Sequence, residues 1–251
     1  MDNLFDKLMA CIFIESAFSL AKIEYVEEDY DFSTEIYIAH KRQGDYFIYL
    51  NVPEKLLPYV TNDIQIKLAS LIKNGTDKFE QINSDKVKIS SSFDKNATLI
   101  IVSYYDDSVK NDVMKQAILI EEDPYFFKKQ VLSISTKELP IITSCFDEHK
   151  DNYIPYVQHL ISDTGRFNEF TNSERLGVTD KGIEYSFVAK LYEKLPFLTL
   201  LVKESSQENL QQKIDSKLSE LQRVNCDELL ALDINKLDDW FAEIVKENVD
   251  D

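Results

Sequence analysis

Glu121-Glu122-Asp123-Pro124-Tyr125-Phe126-Phe127-Lys128-Lys129-Gln130-Val131-Leu132 sets three acids ahead of a proline, then three consecutive aromatics, two lysines and an aliphatic pair. Three adjacent rings cost solubility unless buried or covered, so the stretch is either a core-facing corner or a partner-docking patch. Proline suits the first turn of a helix, and acids just before it suit the positive end of the helix dipole. The local chemistry therefore predicts a helix starting near Pro124, capped by Glu121 to Asp123. Phe127 and Val131 would then lie one turn apart and face inward.

Upstream of this stretch, two periodicities alternate. Leu4, Leu8, Cys11 and Ile12 recur at helical spacing and predict an opening amphipathic helix. Glu35 to His40 and Asp45 to Val52 are rich in β-branched and aromatic residues. The link Lys41-Arg42-Gln43-Gly44 has hairpin length, so the pair reads as a β-hairpin. Ile64, Leu68, Leu71 and Ile72 form a helical stripe closed by Asn74-Gly75. Val87 to Ser91 reads as a short strand, and Leu99 to Tyr105, a continuous apolar run, as a central one. The expected fold class is α+β, with a small mixed sheet and flanking helices over residues 1–107.

Residues 108–251 read as mainly helical, either a second region or part of one continuous domain. Tyr153, Val157, Leu160 and Ile161 make one stripe, and Ile183, Phe187, Leu191 and Leu195 another. Leu210, Ile214, Leu218 and Leu221 predict a further amphipathic helix, and Leu237, Trp240, Phe241 and Ile244 the last, with Asn235 as its N-cap. The polar stretch from Gly165 to Gly182 reads as a loop.

The chain has 251 residues, 44% of them hydrophobic, and a formal net charge of -17. It can bury a sizeable core, and its mean field repels nucleic-acid phosphates and anionic lipid. Cys11, Cys145 and Cys226 are odd in number and share no CxxC spacing, which argues against a disulfide framework or structural zinc and fits a reducing cytoplasm. Asp2, Asp6 and Glu15 spoil a signal-peptide reading of the N-terminus, and no apolar run of about 18 residues suggests a membrane span.

Catalytic signatures do not emerge. His40, His149 and His159 sit in no metal-ligand spacing, and Asp147, Glu148 and His149, being consecutive, point in different directions. Five glycines supply neither a GxxxxGK[ST] loop nor a GxGxxG turn. A metal-dependent nuclease would need a strand carboxylate followed by acid-x-Lys. Glu15, Asp29, Asp31, Glu35 and Asp45 supply the acids, but Glu35 is followed by Tyr37 and Asp45 by Phe47 where lysine is required. Tyr25-Val26-Glu27-Glu28-Asp29-Tyr30-Asp31 interleaves rings with acids, which opposes stacking on nucleic acid and favours core or protein contact. No catalytic residue, cofactor or metal is predicted.

The 121–132 stretch resembles an "EDPYxFKKxVL" motif of the middle component of bacterial ABC-three-component conflict systems, which include Lamassu-like phage defence. Tyr185 to Leu198, an amphipathic helix running into Lys194-Leu195-Pro196-Phe197-Leu198, is similar to a second motif, and the strand pair at 35–52 is compatible with the same family. The resemblance implies a non-catalytic adaptor beside an ABC/SMC-like ATPase and an effector, often a nuclease, that meets DNA only through the complex. It offers no catalytic residues to transfer. It points to Asp123, Pro124, Tyr125, Phe126, Phe127 and Leu132 as a structural corner or docking surface, and both remain open. The alternatives are a divergent or inactive metal-dependent nuclease, or an acidic regulator that mimics nucleic acid.

Overall fold

The computed structural model describes residues 4–41, 44–83, 86–147, 152–201, 217–219, 222 and 224. Two compact units divide between Leu201 and Val202. In the second, the Ser219 N–H donates to Gln222 Oε1 at 2.9 Å and the Gln222 N–H to Ser219 Oγ at 3.3 Å, a reciprocal capping box. Leu218 sits in a bend just before it. The other members of the two C-terminal stripes, with Asn235 and Cys226, lie outside the described residues.

The first unit opens with helix α1 (Leu4–Glu15), followed by strands β1 (Ser19–Glu27), β2 (Phe32–His40) and β3 (Tyr46–Asn51). Then come α2 (Gln65–Asn74), β4 (Glu80–Gln81), α3 (Phe93–Asn96), β5 (Ala97–Tyr105), α4 (Lys110–Glu122) and β6 (Lys128–Ser135). Five helices complete it: α5 (Leu139–Asp147), α6 (Tyr153–Ile161), α7 (Thr164–Thr171), α8 (Ser173–Leu176) and α9 (Asp180–Lys194). The strands form one sheet in the order β4-β1-β2-β3-β5-β6, antiparallel from β4 to β3 and parallel from β3 to β6. The fold is α+β, as the sequence predicts.

The sheet is a wall between two cores. Leu99 and Ile101 join α2 and α4 residues on one side, while Ile100 and Val102 join α1, α6 and α9 residues on the other. This is why β5 reads as an unbroken apolar run: both of its faces are buried. The hairpin is present, with His40 paired to Tyr46, and Gly44 adopts φ 88°, which glycine reaches without steric cost. Residues 42 and 43 of its link lie outside the described residues. Gly75 ends α2 by close approach: a Cβ there would sit 2.6 Å from the Leu71 carbonyl oxygen.

Several expectations are overturned. No helix starts at Pro124. Instead α4 ends in the acids, and Pro124 lies in a turn leading to β6, which runs parallel to β5. Proline commonly follows a helix C-terminus because it cannot continue the helix. Phe127 and Val131 do share one core, since residues four apart also share a face of a strand. The sheet thus extends past residue 107. Val87 to Ser91 is not a strand: the Tyr46 hydroxyl donates to the Lys88 carbonyl and accepts the Ser90 N–H, holding the segment as a loop. Gly165 to Gly182 is largely helical, with Asp163 capping α7 and Thr179 capping α9 through their side chains. Finally β1, where buried Ile23 and Tyr25 alternate with exposed Glu24 and Val26, is a half-buried strand whose acids conceal its period.

His40 stacks on Tyr46 with ring centroids 4.5 Å apart, and its partial burial lowers its pKa from 6.5. As pH falls through that value the unfolded chain takes up a proton that the fold resists. The His40 contribution is therefore fully present above pH 6.5 and lost on acidification. Urea unfolding between about pH 7.5 and 5.5, above the carboxylate range, is expected to show declining stability, with a shallower decline in His40→Gln. Equal slopes in the two proteins would refute this.

Candidate docking corner

A buried lysine organises the 121–132 segment. Lys129 is 2% exposed, and its ammonium donates to the carbonyls of Asp123 at 3.1 Å, Tyr125 at 2.6 Å and Phe127 at 3.0 Å. The same nitrogen ion-pairs with Asp123 Oδ2 at 2.7 Å. An ammonium has three donors and no acceptor, so a loop curled around it with alternate carbonyls inward suits its chemistry. Asp123 also accepts the Gln65 Nε2–H at 3.1 Å, tying the corner to α2. Glu121 Oε1 accepts the Val131 N–H at 2.8 Å and pairs with Lys194 at 2.8 Å, binding the end of α4 to β6 and to α9.

This clamp divides the six candidate residues. Phe127 and Leu132, each 2% exposed, enter the two opposite cores, and Phe127 meets Phe93 edge-on at 5.8 Å. Asp123 is part of the clamp. Pro124, Tyr125 and Phe126 face outward, Tyr125 being 69% and Phe126 43% exposed. Phe126 has φ 61°, in the left-handed region that a bulky side chain enters at a cost of roughly 1–2 kcal/mol. A glycine would fill that position without the cost, so an outward-facing ring is retained here against the backbone preference.

Two clefts flank Lys128 at the N-terminal ends of the parallel strands. One, about 550 Å³, includes Lys95, Pro124, Phe126 and Gln130; the other, about 450 Å³, includes Lys41, Gln130, Pro196 and Phe197. The second motif therefore meets the first in space. Phe197 locks into place against Phe13 at 5.2 Å and Phe47 at 4.8 Å. No periodicity signals this meeting. Only the opposite charges of Glu121 and Lys194 hint at it.

The acids weighed for nuclease chemistry are engaged separately. Glu15 accepts the N–H groups of Tyr153 and Ile154 at 2.7 and 2.8 Å, capping α6 from α1. Asp29 pairs with Lys67 and Glu35 with Lys22. Asp31 occupies a left-handed turn and Asp45 lines the second cleft. Among the described residues no group of three His, Cys, Asp or Glu could hold a metal ion; Glu148 and His149 lie outside them. Burial pushes the Cys145 thiol up to about 11, far from the range of an activated nucleophile.

Residues 57–152 match the family model of the ABC-three component (ABC-3C) system Middle Component 1. This bears out the resemblance read from the aromatic stretch, and it supports a component of an ABC-3C system, hence the existence of partner subunits. The matched span contains Glu121, the Lys129 clamp, Phe126 and Phe127; it stops before Lys194 and Phe197. No curated protein and no solved structure matches the chain. Among the described residues, no helix is long and apolar enough to cross a membrane.

Proposed function

We propose that this chain is a non-catalytic adaptor of a cytoplasmic anti-phage complex, bridging an ABC/SMC-like ATPase and an effector. Pro124, Tyr125 and Phe126 form its contact with the ATPase. The observation that carries the reading is Phe126: an exposed aromatic in a left-handed backbone conformation, presented by a loop clamped on a buried lysine. Strain kept at an exposed ring is a signal of function rather than packing, and rigid aromatics are typical interface anchors. Glu121, Lys194 and Phe197 hold the surroundings in place.

The test is Phe126→Gly, with binding to the purified ATPase component measured by calorimetry. The expected result is about 30-fold or greater loss of affinity with unfolding stability unchanged or raised, because glycine relieves the left-handed strain. Wild-type affinity in a folded Phe126→Gly protein would overturn this assignment.

A further inference from the structure

The edge of the sheet far from this corner is open. β1 pairs with β2 along all its residues from Ser19 to Glu27, but with β4 only at Ala21 and Lys22. The Leu20 N–H bonds the Asn83 side chain at 2.9 Å and the Leu20 carbonyl accepts the Ile82 N–H at 2.9 Å, so Leu20 directs both groups toward the β4 side. Backbone groups alternate along an antiparallel strand, so Glu24 and Val26 direct theirs the same way. There, among the described residues, β4 has ended: Thr76–Lys78, which precede it, form a 3-10 turn whose Lys78 lines a cleft with Glu24, and no strand receives these groups.

The sheet face beside this edge is also uncovered. Glu24, Val26, Ser33 and Glu35 are exposed on it, while Ile23, Tyr25 and Glu27 are buried on the other. Glu24 lies directly opposite Glu35 in the ladder. Like charges so placed are destabilising. Lys22 pairs with Glu35 at 2.8 Å and with Glu80 at 3.5 Å, but no salt bridge reaches Glu24 among the described residues. Glu28 and Asp31 extend the negative field to the hairpin tip.

We infer that the open edge of β1 from Ile23 to Glu27 receives an extended polypeptide segment of a partner, with lysine or arginine at alternate positions. Main-chain bonds to Glu24 and Val26 extend the sheet by one strand, and alternate side chains of the incoming segment lie beside Glu24 and Glu35. Charge complementarity selects the occupant. A second copy would bring an equally acidic β1 edge, and a nucleic acid would bring phosphates, so both meet repulsion.

The probe is a fluorescein-labelled peptide, Lys-Thr-Lys-Val-Lys-Thr-Lys, read by anisotropy against the full chain. Controls are the same peptide N-methylated at alternate amides and a DNA oligonucleotide. The expected result is saturable binding of the plain peptide, weakened at least 10-fold by N-methylation, by Glu24→Lys and by Val26→Pro. Proline at 26 removes an outward N–H and leaves the β1–β2 ladder intact, and Glu24→Lys, at an exposed position, keeps the test valid if Val26→Pro fails to fold. Phe126→Gly is expected to leave this binding unchanged, which separates its outcome from that of the docking corner. Absent binding, equal binding of the N-methylated peptide, preferential binding of the DNA, or a dimer through this edge would each overturn the inference.

Discussion

Lys129→Ala is expected to lower the free energy of unfolding by about 3–5 kcal/mol, the cost of removing one partner from a buried charged pair. The lysine side chain is fully buried and Asp123 is 14% exposed, so little water can replace the lost ammonium. Three carbonyls lose their donor as well, and that of Phe127, the buried one, carries a desolvation cost of its own. Arginine does not rescue the site, because a planar guanidinium fork cannot converge on carbonyls arranged for an ammonium. Lys129→Met combined with Asp123→Leu is expected to be less destabilised than Lys129→Met alone, since it leaves no unpaired carboxylate. Urea denaturation followed by circular dichroism checks all of these variants. A loss below about 1 kcal/mol for Lys129→Ala, the size of an ordinary surface ion pair, would show that the clamp does not hold the corner.

Phe127→Ala is expected to cost a further-reaching 3–5 kcal/mol or so, the usual range for deleting a buried phenylalanine. Its ring lies among Phe93, Val131 and the α2–α4 core, where the neighbours are themselves close-packed and cannot collapse into the space. Phe126→Ala, one residue away, is expected to change stability by less than about 1 kcal/mol, as at other surface positions. Thermal melts of the two variants therefore separate by many degrees. Equal melting temperatures would place both rings in one environment and remove the division between core and corner on which the docking assignment stands.

The same two residues show how far the sequence can be read. Elements whose burial follows a single local period were legible: α1, the β2–β3 hairpin, α2, β5, α6 and α9 all lie where apolar spacing places them. The resemblance to the middle-component family also emerged from the sequence, because the 121–132 stretch is contiguous and unusual in composition. The change from helix to strand at that stretch was not legible. Phe127 and Val131 face one core in either conformation, and Pro124 and the acids suit the end of one helix as well as the start of another.

Local spacing and composition carry the set of apolar faces, the hairpin, the acidity and the resemblance to the middle-component family over residues 57–152. Tertiary structure decided the rest. β5 needed a neighbour on its far edge, and burying both of its faces made β6 a parallel strand following α4. That placement buried Lys129, turned Phe126 outward and brought Glu121 to Lys194, 73 positions away. Burial of a lysine and pairing of distant charges depend on how the whole chain fills the space around the sheet, and no local window carries that information.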